Sequence, residues 1–185
     1  MDFIKTIILS GVHGVGKGYF LERIQKEYPR LNILQASKLI EKYKNSTDAG
    51  YKKVKSVMDN QIVLIAAIEA ERNNCQGTIV LDGHLCVINS ENEVKRIPES
   101  FFLEGNISGV ILLQDEPAKV EERLKKRDGK SLSKKYIEDM QKEETIFAES
   151  MEKELGIKKK IISHNCGAIE FMEIIDTFGG GNSEY

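Results

Sequence analysis

Long apolar runs are missing from the sequence. The longest, IVLIAAI at 62–68, falls far short of the ~20 residues that a membrane-spanning helix needs. A basic-then-apolar start is missing too, so no secretory leader is expected. Cysteine is scarce: Cys75, Cys86 and Cys166 are an odd, scattered set without metal-ligand spacing, which excludes a zinc motif and a disulfide framework. A reduced, cytoplasmic protein is the expectation. Charge of one sign is lacking as well, because 27 Lys and Arg stand against 29 Asp and Glu for a net charge of −2. No global field therefore draws the chain to nucleic acid or to anionic membrane, and a nucleic-acid or ribosomal partner would need a local basic patch. Internal repeats are absent.

What remains suits one globular domain. A chain of 185 residues that is 41% hydrophobic is long enough to bury one proper core and short for two. Short β-rich runs alternate with helical periodicity. FIKTIIL (3–9) reads as a buried strand; after a glycine loop, Phe20, Leu21, Ile24 and Tyr28 recur at helical spacing until Pro29. LNILQA (31–36) is a weaker strand, followed by a polar helical stretch to Tyr51. Val54, Val57, Met58, Ile62 and Ile65 mark a longer helix leading to the strand TIVLD (78–82). CVINSENEVKRI (86–97) reads as a hairpin, with polar turn residues between extended runs. GVILL (109–113) is a fourth core strand, with a charged helix after Pro117 and another traced by Tyr136, Met140, Phe147, Met151 and Leu155. KKIIS (159–163) is a fifth strand and AIEFMEIIDTF (168–178) a closing helix, with a short tail beyond. Five apolar strands separated by helices predict an α/β fold with a parallel sheet covered on both faces.

Three clusters carry chemistry. In GVHGVGKGYF, Gly11, Gly16 and Lys17 satisfy the phosphate-loop pattern, but Gly18 stands where the pattern has a hydroxyl. The loop lies between a strand and a helix, where main-chain N–H groups and the helix dipole converge on an anion. Gly11, Gly14 and Gly16 permit close wrapping of a phosphate, and Lys17 supplies a mobile cation. Asp82 ends an apolar strand at the carboxyl edge of the sheet and could orient the waters of a magnesium ion, or cap a turn before Gly83. His84 could bond a phosphate or a water, or serve structure alone. Arg123 and Arg127, four apart in DEPAKVEERLKKRDGK, repel unless an anion lies between them, so something negative is expected nearby. They suit stabilisation of a transferring phosphoryl group; alternatively they join a solvated network with the Glu121–Lys125 and Glu122–Lys126 pairs.

The order of GVHGVGKG, VLDGH, LLQDEPAKVEERLKKRD and IISHNCGAIE resembles a nucleoside monophosphate kinase, most of all the archaeal-type adenylate kinases and their eukaryotic nuclear ATPase relatives. The resemblance runs from residue 4 to about 178. It implies a P-loop NTPase sandwich with core strands in the order 2-3-1-4-5, ATP and magnesium as cofactors, and AMP as the favoured acceptor. It implies a single domain over 1–178, an acceptor-binding insert at about 37–60, a lid at about 127–134 and a flexible tail at 179–185. It places the nucleotide on Gly11, His13, Gly14, Val15, Gly16, Lys17, Gly18, Tyr19, Arg123 and, beside adenine, Asn165. Lys17, Arg123, Arg127 and Asp82 would be catalytic, with Asp82 holding the metal through water. Two departures stand out: Gly18 lacks the hydroxyl, and residues 36–60 contain no arginine. Ser37, Lys38, His84 and Arg96, with Lys42 and Lys44 nearby, are left to bind the acceptor, and lysine offers a point charge rather than a bidentate fork. A slow ATPase switch on a macromolecular partner, or nucleotide binding without chemistry, fits the same motifs.

Overall fold

The computed structural model describes residues 4–45, 57–89, 91, 93–129 and 132–180. The middle of the expected acceptor insert (46–56), two residues of the expected lid (130–131) and most of the tail (181–185) lie outside them. Strand β1 (Thr6–Ser10) is buried at every position and leads through the glycine loop into α1 (Lys17–Glu27). Strand β2 (Asn32–Gln35) passes directly into α2 (Ala36–Asn45), and α3 (Val57–Arg72) precedes β3 (Ile79–Asp82). The hairpin forms as expected, from β4 (Cys86–Ile88) and β5 (Val94–Arg96) paired antiparallel. A one-turn helix that periodicity could not announce, α4 (Ser100–Glu104), buries Phe101 and Phe102. Strand β6 (Ile107–Leu113), α5 (Pro117–Asp128), α6 (Lys134–Leu155), β7 (Lys158–Ile162) and α7 (Ala168–Gly179) complete the chain.

The five core strands form one parallel sheet in the order β2-β3-β1-β6-β7. With the hairpin strands left out of the count, this is the order that the resemblance implies. Position in the sheet explains composition. The inner strands β1 and β6 are covered on both faces and read as near-continuous apolar runs, whereas the edge strand β7 carries three lysines, two of them exposed. Helix α7 packs on β1 and β6 beside α1, and Phe20 of α1 meets Phe171 of α7 edge to face at 5.2 Å. Helix α6 packs against β6, β7, β4 and α5. Two caps bound the turn between α5 and α6: Gly129 closes α5 at φ 63°, and Ser133 Oγ accepts the Tyr136 N–H at 3.2 Å. Among the described residues no helix is long and apolar enough to cross a membrane. The carboxyl ends of β1 and β3 lie side by side, at the edge where open α/β sheets bind ligands.

Candidate active site

The loop after β1 needs its glycines for stereochemical reasons. A Cβ on Gly14, at φ 82°, would fall 2.5 Å from Leu124 Cγ, and one on Gly16, at φ 98°, would fall 2.9 Å from His164 Cε1. Gly16 caps α1, so the loop presents main-chain N–H groups and the positive end of a helix to the same space. Gly18 is different. It sits inside α1, and a Cβ placed on it would have no neighbouring atom within 4 Å, so nothing in the fold requires glycine there.

Lys17 folds back beneath this loop. Its Nζ donates to Gly11 O at 3.0 Å and to His84 Nε2 at 3.3 Å, and lies 3.7 Å from Asp82 Oδ1. Burial lowers the lysine pKa, and the charges of Asp82 and Glu144 act against that fall. Burial raises the Asp82 pKa, against the opposing charge of Lys17. His84 is pushed down to about 3 by burial, by Lys17 and by His13. It is therefore neutral and accepts from the ammonium.

The arginines of α5 separate into two roles. Arg123 Nη1 donates to Val15 O at 2.7 Å and to Gly14 O at 3.3 Å, while Nη2 donates to the Asp115 carboxylate. Asp115 is thus an anion that offsets the repulsion between Arg123 and Arg127, and the guanidinium braces the loop from outside. Arg127 is exposed and donates to His13 Nε2 at 2.6 Å. The Glu121–Lys125 and Glu122–Lys126 pairs form at 3.2 and 2.7 Å.

Two supports escaped sequence reasoning. His164 donates from Nε2 to Val15 O at 2.6 Å, and Arg23 donates to His164 O at 2.9 Å and Cys166 O at 2.6 Å. Together they dock the turn after β7 onto the loop. Glu144 of α6 is 1% exposed, accepts from Ser10 Oγ at 2.6 Å, and Ser10 Oγ in turn accepts the Leu85 N–H at 2.8 Å. This chain fixes the turn after β3, and with it Asp82 and His84, to β1 and α6. A signal existed: Glu144 lies on the stripe of Met140, Phe147 and Met151, where an acid is out of place unless it has partners.

A cavity of about 860 Å³ runs from the loop to α2, α3 and the hairpin. It brings together His13, Gly14, Gly16, Lys17, Gly18, Tyr19, Ser37, Asp82, His84, Arg123 and Arg127. Gly11 and Val15 lie buried behind its wall. Lys38, Arg96 and Asn165 are not brought to it. Ser37 faces the cavity, and the next helical residue, Lys38, is turned ~100° away. Arg96 pairs across the hairpin with Cys86 and turns to α6, where Glu143 accepts at 2.7 Å and the Phe147 ring lies 5.2 Å below the guanidinium. Asn165 is exposed on the docked turn.

A family model described as the AAA domain matches residues 10–146. The chain belongs to the AAA domain family. No curated protein shows significant similarity to it. Among solved structures, this AAA domain superposes on the tunicamycin resistance protein of Deinococcus radiodurans with TM-score 0.60 and 16% identity, over 97% of this chain and 98% of that one. A gluconokinase from Sinorhizobium meliloti 1021 aligns with TM-score 0.48 and 15% identity, over 97% and 94%, too low a score to support any argument. At these identities the likeness shows the fold alone, an α/β fold whose parallel sheet is flanked by helices. The residues of this AAA domain fit the phosphate chain of a nucleotide: a glycine cradle that side chains would fill, a helix N-terminus and a buried ammonium. Among the described residues no cluster of three His, Cys, Asp or Glu forms a metal-ligand set. A magnesium ion on such a phosphate chain would have the Asp82 carboxylate, 3.7 Å from the Lys17 ammonium, in the cavity wall to orient its waters.

Proposed function

We propose that this AAA domain is an ATP-dependent phosphotransferase that acts on a small molecule seated in the 860 Å³ cavity. One observation carries the reading: the ammonium of Lys17 lies under the glycine loop, within 4 Å of Asp82 and His84, on the wall of a cavity large enough for a second substrate. The finer assignment, a nucleoside monophosphate kinase with AMP as acceptor, rests on the sequence motifs at 11–18, 80–84, 112–128 and 161–170.

The N–H groups of the loop would hold the β- and γ-phosphates. Lys17 would leave Gly11 O for the phosphoryl oxygens and stay with the charge as it shifts toward the leaving group. Arg127, exposed at the end of α5, would add a second cation, while Arg123 keeps the loop in shape. Magnesium, when bound, would neutralise phosphate charge, with Asp82 orienting its waters. Catalysis of this kind is mostly positioning and electrostatics. The test is a transfer assay with ATP, magnesium and a panel of monophosphates and small alcohols. Labelled product that disappears with Lys17→Met supports the reading. Phosphate release independent of every acceptor favours an ATPase switch, and ATP binding without turnover favours a binding protein.

A further inference from the structure

The wall of the main cavity is charged on one side only. Its cations, Lys17, Arg123, Lys126 and Arg127, all belong to the loop, α1 and α5. Opposite them stand Ile40, Leu64, Val87, Ile88, Ile97 and Phe101. Among the described residues no cation of that half reaches the cavity. Lys42 pairs with Glu71 at 2.5 Å, Lys44 donates to Asn60 at 2.6 Å, Lys95 pairs with Glu93 at 2.9 Å, and Arg96 is held by Glu143. Against the described residues of this wall, a monophosphate would shed its hydration without gaining a paired cation, which is strongly unfavourable.

Two further features say what would be welcome instead. A second cavity of about 170 Å³ adjoins the first and shares Val12, His13, His84, Val87 and Ile88 with it. Cys86, Leu132, Tyr136, Ile137 and Met140 complete its wall. An apolar space of about 150 Å³ holds a benzene ring. Gln61 of α3, which lines the main cavity, is 9% exposed and has no hydrogen-bond partner for its Oε1. Buried acceptors are normally satisfied, and rotation about the soft terminal torsion of glutamine would turn this one toward a ligand donor.

We propose that the acceptor is an uncharged alcohol with an apolar arm of about ring size. The arm occupies the smaller cavity, a donor N–H or O–H of the molecule meets Gln61, and the reacting hydroxyl lies beside Lys17 and Asp82. This rests on the phosphotransferase reading above and replaces the monophosphate as its acceptor. In the transfer the hydroxyl oxygen forms a bond to the γ-phosphorus, the bond from that phosphorus to the β–γ bridging oxygen breaks, ADP leaves, and the hydroxyl proton is released to water.

The experiment uses the full chain with labelled ATP and magnesium. ATP binding is measured first by calorimetry; its absence defeats the phosphotransferase reading itself. With ATP bound, N-acetylphenylalaninol, 3-phenylpropan-1-ol and geraniol are compared with AMP, UMP and dTMP. The expected result is label on at least one alcohol and on none of the monophosphates. Val87→Phe or Ile88→Phe should then raise the KM for that alcohol by about tenfold, with KM for ATP unchanged. Both positions are on the hairpin and partly exposed, so one variant can stand in if the other fails to fold. Gln61→Leu should weaken the N–H-bearing N-acetylphenylalaninol by about tenfold, the loss of one buried hydrogen bond, while leaving geraniol less affected and the ligand-free protein no less stable. Label on a monophosphate in preference to the alcohols, or saturable binding by none of the alcohols, overturns the proposal while leaving ATP binding to the loop intact.

Discussion

The two halves of the cavity are built on opposite plans. The loop half is held by cross-braces: Arg123 to Val15 O and Gly14 O, His164 to Val15 O, and Arg23 to the turn that carries His164. Its ligand-facing groups are main-chain N–H donors and one buried lysine. The opposite half is a mainly apolar wall from three helices and a short hairpin, with Ser37, Asn60 and Gln61 among its side chains, and Lys42 and Arg96 of this half are held by Glu71 and Glu143. The first half suits a phosphate chain whatever it is attached to; the second offers shape, apolar contact and the amide of Gln61. Transfer chemistry and acceptor choice should therefore respond to different substitutions.

The largest effect should come from Lys17→Met. Removing the one cation under the loop should lower kcat by about a thousandfold or more, as for other groups that meet transferring phosphoryl charge. Folding should persist, because burial already disfavours this ammonium. Unchanged turnover per folded molecule would break the division at its strongest point.

Next comes the contrast between the arginines. Arg123→Ala should lower kcat by about a hundredfold and also weaken ATP binding and lower Tm by a few degrees, since it unties two loop carbonyls. Arg127→Ala should lower kcat with little change in Tm, because this side chain is exposed. Identical profiles for the two, measured by steady-state kinetics and thermal melts, would remove the distinction between brace and catalyst.

A pH experiment probes the seam between the halves. His84 has an ordinary pKa of 6.5 that falls to about 3 in the fold. The unfolded chain thus takes up this proton first, and stability is lost as pH falls below 6.5. Between pH 7 and pH 5 the natural protein should lose about 2 kcal/mol more than His84→Gln does in urea unfolding. Asp82 and Glu144 have raised pKa values and act with the opposite sign. Comparing the two proteins cancels that contribution. A parallel pH dependence would mean that His84 titrates normally.

The smallest effect is expected at Gly18. An added side chain meets nothing within 4 Å, so Gly18→Ser should fold and bind ATP normally. The new hydroxyl should reduce the magnesium needed for half-maximal turnover by about threefold, the worth of one weak polar contact. Asp82→Asn should then be less damaging than in the natural sequence. If neither changes, the metal is not held beside residue 18 and Asp82.

Much of this was legible without coordinates. The strands announce themselves because both faces of a parallel sheet are covered, so FIKTIIL and GVILL read as continuous apolar runs. The acid at the end of TIVLD and the hairpin at 86–97 were equally plain. Arg96 was not: expected to bind the acceptor, it is instead held by the carboxylate of Glu143, 47 positions away. Glu144 and Ser10 meet across 134 positions, and Arg23 and His164 across 141. No local pattern encodes such pairings, because they exist only once α6 and the turn after β7 have packed.

The sequence by itself determined the loop, the parallel sheet and the candidate site proposed at its carboxyl edge. These follow from local rules: glycines at 11, 14 and 16 set backbone conformation within a few residues, and apolar periodicity sets which face of each element is buried. Only the tertiary structure decided which cations face the cavity and which are spent on Glu71, Glu93 and Glu143. A long charged side chain has many acceptors within reach, and the one it takes depends on which helix or strand has been brought beside it.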